Sequence, residues 1–457
     1  MQTSVPKFSP SQYLLPAARA LLLLQIFLIT WLCSGTRVEF LIPIFLTAIL
    51  LYVSATFTDL SASEIIFEKL LFLIVIFFII FALIQYVNPF AETVVGEKFR
   101  YIRNLNHIKF LPSSIKAEFH SGNPMRSLCV LLSGFLTVMG AIPLLKNRHF
   151  PRISLSVFAL NSTAMGVFAI FQKLSKFASP YNALHSTSDY YGTFFLSNAA
   201  GAFLNMGMSA SIALSAIYAK ERGFHYKVLS FLYMLCAAIN GISACYSDSK
   251  GAQIICAGII LFSILYIIFT FTQRIANRKT SLLAITTFLS IFIAVMLSAI
   301  HIYAVISRLT DKMESSVEGR IAYYWASFKI IKKAPIFGIG GECSRYLLPS
   351  EISRMGQSPN SPFYMPERPH SDILEYTIDY GILGLIALAT CGLAWVYCFC
   401  KNRKYDVFPN AMLAIGAISC IFHGSFDMEL HIPSTMIAFG LMCTWALANL
   451  GKIGNES

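Results

Sequence analysis

Long apolar runs recur along the whole chain and are separated by polar connections. Runs of roughly 17–25 apolar residues are long enough to cross the hydrocarbon core of a bilayer as α-helices. We therefore predict about twelve membrane-spanning helices, and the longest connections between them cover 88–126 and 305–379. The predicted spans lie near 15–34, 40–57, 69–87, 127–145, 153–172, 195–219, 228–246, 251–271, 281–304, 380–400, 410–425 and 434–450.

The connection 305–379 has its own pattern of apolar and polar positions. Apolar side chains recur at spacings of three and four, which predicts a short helix with one apolar face that Pro335 ends. The glycines that follow predict a tight turn. Another helix is expected to begin near Asp372, because Asp372 and Glu375 resemble a capping box. The apolar face comprises Ile321, Tyr324, Trp325, Phe328 and Ile331.

The composition is that of an integral membrane protein. The 457 residues are 56% hydrophobic and 13% charged, whereas a soluble domain carries about a quarter charged residues. Because the apolar runs cover the whole length, we predict a single polytopic, all-α membrane domain over 1–457. The net charge of +12 comes from basic clusters between apolar runs and does not indicate nucleic-acid binding. The first run lacks a small-residue cleavage site, so we expect no cleaved signal peptide.

The basic clusters also predict the orientation of the chain. Lysine and arginine are enriched in short cytoplasmic connections, so these clusters are placed inside and the connections 88–126 and 305–379 outside. The connection 88–126 is itself basic, which either has no consequence in so long a loop or creates a surface for an anionic substrate. The inside clusters are Lys146, Arg148 and Arg152; Lys220, Arg222 and Lys227; Arg274, Arg278 and Lys279; and Lys401, Arg403 and Lys404.

Two residues of the connection 305–379 are candidates for chemistry. His370 precedes the predicted helix start, and a histidine can accept a proton near neutral pH. The alternative is a loop histidine with ordinary hydrogen bonds. Arg320 lies at the edge of the apolar helix face, where its planar guanidinium suits phosphate oxygens. The alternatives are a structural ion pair with a glutamate such as Glu318, or an arginine that extends to the membrane surface.

Polar residues beside the predicted spans are further candidates. Lys250, in a short outside turn, either faces an anionic headgroup or diphosphate or anchors the chain at the interface. Asn198 near a membrane end can bind a polar substrate, whereas the small residues after it favour helix packing. Asp427 and Glu429 are interpreted as solvated carboxylates of a turn. The sequence has no Walker-type loop, zinc-ligand spacing or nucleophile elbow, so we expect no metal site and no cofactor.

These segments resemble the O-antigen ligase and polymerase superfamily of bacterial envelope glycosyltransferases. The resemblance covers roughly 190–390, with the long outer connection in the expected place. The family usually has arginine at the position of Lys250 and often asparagine at that of Ser371. The motifs are Gly192-Thr-Phe with Asn198; Ser249-Lys250-Gly251-Ala252; Arg320 with Tyr324 and Trp325; Pro335-Ile-Phe-Gly338-Ile-Gly340; His370-Ser-Asp372 with Leu374; and Gly381-Ile-Leu-Gly384.

The resemblance implies a multi-pass enzyme of the bacterial inner membrane with a periplasmic active face. Such enzymes move a glycan from undecaprenyl diphosphate to an acceptor hydroxyl without a metal. The acceptor is lipid A-core in ligases, another lipid-linked glycan in polymerases, and a protein hydroxyl in related oligosaccharyltransferases. We expect a ligase, with a polymerase as the alternative. His370 is expected to act as the base, and Arg320 and Lys250 to bind the diphosphate.

The connection 305–379 is thus expected to carry the active site. Arg368, Asp372, Glu375 and Asn198 are expected to bind substrate or to orient the catalytic groups. A secondary transporter or flippase is the alternative from another class, because its spans would be equally numerous. A transporter is expected to place charged residues at the bilayer midplane, whereas this chain concentrates its polar residues in the outer connections.

Overall fold

The computed structural model describes residues 11–56, 62–95, 100–145, 149–175, 190–272, 310–354, 367–401 and 407–450. These ranges contain 13 α-helices and one small sheet. The helices are α1 Ser11–Trp31, α2 Val38–Ala55, α3 Ala62–Val87, α4 Pro124–Leu144, α5 Phe150–Ser175, α6 Ser197–Ala219, α7 Phe224–Tyr246, α8 Lys250–Thr272, α9 Thr310–Lys333, α10 Ser344–Arg354, α11 Asp372–Lys401, α12 Val407–Gly424 and α13 Pro433–Leu447.

The all-α membrane architecture predicted from the sequence is confirmed. Among the described residues, 10 helices are long and apolar enough to cross a membrane, namely α1 to α8, α11 and α12. They coincide with predicted spans. The predicted span 434–450 corresponds to α13, an apolar helix of 15 residues that is shorter than these candidates. The predicted span 281–304 lies outside the described residues.

Helix α6 lies at the centre of the helix bundle. Of its 23 residues, 18 are buried inside the protein. Small residues permit this close packing, because a Cβ added at Gly201 would overlap Ala252, and one at Gly207 would overlap Ser162. The N-terminal turn of α6, which contains Asn198, is thereby fixed against the turn that precedes α8.

A small sheet precedes α4, in the first long connection. It consists of β1 Pro89–Val95, β2 Arg100–Asn104 and β3 Ser114–Lys116, in the order β2-β1-β3. Strand β1 pairs antiparallel with β2 and parallel with β3. The buried side chains Ala91 and Ile115 form one hydrophobic cluster with residues of α9, α10 and the turn between them. The two long connections therefore pack together as a layer on the helix bundle.

This layer is attached to α11 where that helix is interrupted. The break lies at Gly381, whose φ of +64° is in the left-handed region that favours glycine. The carbonyl of Ile378 consequently accepts a hydrogen bond of 2.8 Å from the N–H of Ile339 in the glycine-rich turn. In the opposite direction, the N–H of Ile382 donates to the carbonyl of Pro335 at 2.9 Å. These backbone bonds fix the turn after α9 against α11.

Helix α9 confirms the amphipathic helix predicted before Pro335. Its predicted apolar face is not packed in the protein interior, since Ile321, Trp325 and Phe328 are 48%, 62% and 48% exposed. The helix instead buries Ala326 and Ile330 against the layer. Tyr323 and Tyr324 of the same helix contact His370, so α9 lies beside the segment that carries this histidine.

Candidate active site

Three side chains from distant segments meet at the carboxylate of Asp427. The Nδ1 atom of His370 lies 3.1 Å from its Oδ1, and an Nη atom of Arg320 lies 3.7 Å from its Oδ2. The side-chain amide of Asn198 donates a hydrogen bond to the same Oδ2. The structure therefore brings His370, Arg320 and Asn198 together, and Asp427 is the group that joins them.

Asp427 occupies a short segment between α12 and a 3-10 turn, Glu429–His431, and this segment is fastened to the start of α11. Its carbonyl accepts a hydrogen bond of 2.9 Å from the N–H of Asp372. In return the Asp372 carboxylate accepts from the N–H of Leu430 at 2.9 Å. The expectation that Asp427 and Glu429 are solvated was wrong, because both are buried, with 3% and 1% exposure.

His370 has a constrained position beside this carboxylate. Its backbone adopts a φ of +52°, in the left-handed region, and its carbonyl accepts a hydrogen bond from the Tyr324 hydroxyl at 3.4 Å. The imidazole stacks on Tyr323 with ring centroids 5.9 Å apart. With the Nδ1 proton directed at Asp427, Nε2 carries the free lone pair of the ring. The ring can thus accept a proton at Nε2.

The Asp427 carboxylate is in an environment that keeps it ionised. Burial acts to raise its pKa, but the hydrogen bond and charge of His370, together with His423 and Arg320, hold the pKa below its usual value. An ionised acceptor at Nδ1 fixes the tautomer of His370. It also stabilises the imidazolium that forms when Nε2 takes up a proton.

Arg320 and Lys250 both remain accessible to a ligand. The Arg320 side chain is 36% exposed, so its remaining N–H groups can donate outward. Lys250 begins α8 and is half-buried, and in the part of the chain that the structure describes its ammonium has no ion-pair partner. The turn that carries Lys250 contacts the site through His423, whose Nε2 lies 3.3 Å from the Ser249 hydroxyl.

Arg368 and Glu375 form part of a buried network of ion pairs and do not contact His370. Arg368 donates to Glu375 at 2.9 Å and to Glu342 at 3.2 Å. Burial acts to lower the pKa of Arg368, but Glu375 and Glu342 raise it above its usual range. Burial conversely acts to raise the pKa of Glu342, which Arg368 and Arg126 nevertheless hold below its usual value. Arg368 is therefore permanently charged and fully engaged.

Asp372 also has a different partner from the one expected. Its Oδ1 lies 2.8 Å from Nδ1 of His431, and its other oxygen bonds the backbone of Leu430. Neither Asp372 nor Glu375 contacts His370, and neither carboxylate forms the expected capping box at the start of α11. The carboxylate that orients His370 is instead that of Asp427. The position of Asp427 in a short turn did not indicate this role in the sequence.

The family of this segment is shown by comparison with known proteins. Residues 235–389 match the family model described as O-Antigen ligase. This segment is similar to an O-antigen ligase domain. The resemblance recognised in the sequence is thereby confirmed over this segment, which contains Lys250, Arg320 and His370. No curated protein sequence matches the chain.

The O-antigen ligase domain indicates what class of reaction the site serves. The match to this family supports glycan transfer of the ligase or polymerase type in general. In such a reaction the donor is a lipid-linked glycan and the acceptor is a glycan. Together with the ten candidate spans, the domain makes this chain a multi-pass membrane protein. Asn198 and Asp427 lie outside the matched residues, although both contact the site that the domain forms.

Two buried groups beside the O-antigen ligase domain's site combine histidine and carboxylate side chains. One comprises Glu375, Asp379 and His431, and the other His423, Asp427 and Glu429. In each group, one ligand atom from every residue lies within 4.8 Å of the others. Mixed imidazole and carboxylate donors are ligands for divalent metal ions. The spacing of these residues in the sequence did not suggest either group.

Proposed function

We propose that this protein is a membrane glycosyltransferase of the ligase type. It transfers a glycan from undecaprenyl diphosphate to a hydroxyl of lipid A-core, at the periplasmic face of the bacterial inner membrane. The observation that carries the proposal is the contact of His370 with the ionised Asp427 beside an accessible Arg320. A base and a cation side by side are what transfer from a diphosphate to a hydroxyl requires.

In the proposed reaction, Nε2 of His370 removes the proton of the acceptor hydroxyl. The hydroxyl oxygen forms a bond to the anomeric carbon of the donor glycan, while the bond from that carbon to the diphosphate oxygen breaks. The imidazolium is stabilised by Asp427 at Nδ1. Undecaprenyl diphosphate leaves with the bonding electron pair, so negative charge develops on its phosphate oxygens.

Arg320 is the group proposed to stabilise the departing diphosphate. Its contact with Asp427 holds the guanidinium near His370, while its exposed face keeps donors for phosphate oxygens. Lys250 is proposed to add a second positive charge, because its turn adjoins the site through Ser249 and His423. Asn198 then positions Asp427 rather than substrate. This scheme assigns the transfer step to side chains of the chain itself.

A transfer assay with purified protein and lipid-linked donor tests the assignment of His370. His370→Ala should lower the transfer rate by about 10²–10⁴-fold, the usual contribution of a general base. His370→Gln retains a hydrogen-bonding side chain without an effective base and should be equally impaired. Full turnover of the glutamine variant would mean that His370 positions the acceptor. Full turnover of the alanine variant would show that His370 has no role in the transfer step.

The glycan profile of a deletion strain distinguishes the ligase from the alternative polymerase. Both enzymes would use the same base and cation, and they differ only in the acceptor. Loss of the ligase should leave full-length glycan chains on the lipid carrier and none on lipid A-core. Core that carries a single repeat unit would instead identify a polymerase. An unchanged distribution of full-length glycan between carrier and core would contradict both.

A further inference from the structure

Helix α9 carries a stripe of large apolar side chains that face away from the protein interior. Ile321, Trp325 and Phe328 follow one another at spacings of four and three, so they lie on one side of the helix, and all three are exposed. The next position of the stripe is Lys332, and Lys329 lies beside it; both lysines are exposed. An exposed apolar stripe bordered by charged residues marks a contact surface.

The opposite side of α9 is already covered. Ala326 and Ile330 are buried in one hydrophobic cluster with Ala91 and Ile115 of the small sheet. They lie on the side of the helix away from Phe328 and the rest of the stripe. The stripe therefore faces away from the layer that the two long connections form, and none of the described residues buries it.

The C-terminal end of α9 is attached at one edge of the membrane core. After its break at Gly381, α11 continues to Lys401, a length of about 30 Å at 1.5 Å per residue, which equals the thickness of the hydrocarbon core. The N–H of Ile382, directly after the break, donates to the carbonyl of Pro335 at 2.9 Å. Pro335 at the end of α9 therefore lies at the level where α11 enters the lipid.

The other end of α9 is attached to a second span. Arg320 contacts Asp427 at 3.7 Å, and Asp427 follows closely after α12 ends at Gly424. Since α11 and α12 are consecutive spans, the start of one and the end of the other lie on the same side of the membrane. The hydrogen bond from the N–H of Asp372 to the carbonyl of Asp427 joins these two ends. Helix α9 thus runs along the membrane surface.

The stripe is continuous with a surface that faces lipid. Ile336, in the turn after α9, is exposed, and so are Ile382 and Ile386 at the start of the lipid-crossing part of α11. The N–H of Leu383 donates to the carbonyl of Ile336 at 3.4 Å, which places these side chains next to one another. The apolar surface of the span therefore extends onto α9.

The charges beside the stripe indicate which lipids it meets. Among the described residues, Lys329 and Lys332 form no ion pair, whereas Lys333 is paired with Glu351 at 2.6 Å. Two uncompensated ammonium groups at the level of the lipid headgroups favour negatively charged phosphates. Lysine side chains are also long enough to reach that level from an inserted helix.

We propose that α9 is an interfacial helix whose apolar stripe inserts into the adjoining lipid leaflet, where Lys329 and Lys332 bind the phosphates of anionic phospholipids. Helices that lie in the interface have this composition, with Trp and Phe on one face and lysine beside them. Trp325 in the middle of the stripe suits the headgroup region, in which tryptophan is enriched. The occupant of the stripe is thus the bilayer itself.

The lipid contact has a consequence for Arg320, and this consequence rests on the proposed function. A helix held in the interface keeps Arg320 near the depth of the lipid phosphates. The diphosphate of a lipid-linked donor lies at the same depth, because its lipid chain occupies the hydrocarbon core. Ile321 and Phe328 are accordingly positioning residues, which act on the donor through Arg320.

A nitroxide spin label on Phe328→Cys measures the depth of the stripe in full-length protein in lipid nanodiscs. The exposed native Cys400 is first replaced by serine. In nanodiscs of phosphatidylcholine and phosphatidylglycerol, we expect the label to respond more to oxygen, which dissolves in lipid, than to a water-soluble nickel complex. Ser353→Cys on α10 is the matched control and should show the reverse, because this exposed position lies in the layer.

Two outcomes of this measurement would overturn the proposal. A label at Phe328→Cys that responds to nickel as strongly as the label at Ser353→Cys would place the stripe in water. A label shielded from both reagents would show that protein covers the stripe, either a second copy of the chain or another partner.

The lipid charge is tested with the same label. Phosphatidylglycerol should raise the ratio of the oxygen response to the nickel response above its value in pure phosphatidylcholine. Lys329→Ser with Lys332→Ser should abolish this difference. Lys109→Ser with Lys116→Ser removes the same charge from exposed positions of the first long connection and should leave the difference unchanged. A ratio that is independent of lipid charge while Lys329 and Lys332 are present would exclude anionic lipid as their ligand.

A transfer assay separates the lipid contact from the proposed function. Ile321→Ser with Phe328→Ser should raise the KM for the lipid-linked donor with little change in kcat, because the catalytic groups stay in place. An unchanged KM would exclude the positioning role. If His370→Ala kept full transfer, the proposed function would fail, whereas the label on Phe328→Cys would still decide the lipid contact.

Discussion

The Nδ1 atom of His370 lies 3.1 Å from the Oδ1 atom of Asp427, although the two residues are 57 positions apart in the sequence. Burial of Asp427 and the contacts of its second oxygen with Arg320 and Asn198 leave its carboxylate one orientation. The pair therefore has a defined direction, with the Nδ1 proton towards Asp427 and the lone pair of Nε2 on the other side of the imidazole ring. Because Asp427 fixes this direction, its replacement should affect the transfer reaction.

We predict that Asp427→Asn lowers the transfer rate by about 10²–10⁴-fold, because an amide can neither fix the tautomer nor stabilise the imidazolium. The double variant Asp427→Asn with His370→Ala should be little slower than His370→Ala alone, since the two residues act as a unit. The measurement is kcat/KM for transfer in the single and double variants. Losses that multiply would show that Asp427 acts separately from His370.

Arg320 should respond differently to removal and to replacement of its charge. Arg320→Ala should lose most transfer, and Arg320→Lys should restore only part of it, because one ammonium cannot reproduce the planar guanidinium. Lys250→Arg should be tolerated, since it keeps the charge and adds donors. The measurement is the rate of glycan transfer from the lipid-linked donor. Normal rates in both Arg320→Ala and Lys250→Ala would exclude the diphosphate role for both residues.

Sequence patterns predicted the helices well, because a span depends only on the length and polarity of a local run. They also selected His370 and Arg320, which lie in polar segments between apolar runs. Asp427 was missed because an acidic residue in a short turn is usually solvated, and its burial depends on the distant start of α11. The acids Asp372 and Glu375 have the spacing of a capping box, but tertiary partners take both carboxylates.

Gly381 should not tolerate a side chain, because its φ is +64° and a Cβ there would overlap the carbonyl oxygen of Ile336. We expect Gly381→Ala to destabilise the protein by about 1–3 kcal/mol, the usual cost of a strained backbone conformation. Gly392→Ala in the same helix is the matched control, since a Cβ there meets no atom within 4 Å. Thermal unfolding in detergent should show a lower Tm only for Gly381→Ala.

Glu342 should make stability depend on pH in the acid range. Its folded pKa lies below the usual value, so its contribution is present above the unfolded pKa of about 4.3 and is lost as pH falls through the folded pKa. Glu342→Gln should therefore lower the Tm clearly at pH 7, where Arg368 and Arg126 lose a buried carboxylate. The difference from wild type should shrink as the pH falls below about 4.

The control for this pH dependence is Glu367→Gln, because Glu367 is 68% exposed and pairs with Arg345 only at 3.8 Å. Exposed ion pairs contribute about 0–1 kcal/mol, so this variant should follow the wild-type curve at every pH. A Glu342→Gln variant whose deficit in Tm stays constant from pH 7 down to pH 3 would show that the lost charge is not responsible.

The predicted orientation of the chain places Ser353 of α10 outside the cytoplasm and Arg222, in the turn between α6 and α7, inside. Both positions are exposed, so a cysteine at either can react with a maleimide. The exposed native Cys400 would compete and is first replaced by serine. We expect a membrane-impermeant maleimide to label Ser353→Cys in intact spheroplasts and to label Arg222→Cys only after permeabilisation. The opposite pattern would place His370 and Arg320 on the cytoplasmic side, where a periplasmic acceptor could not reach them.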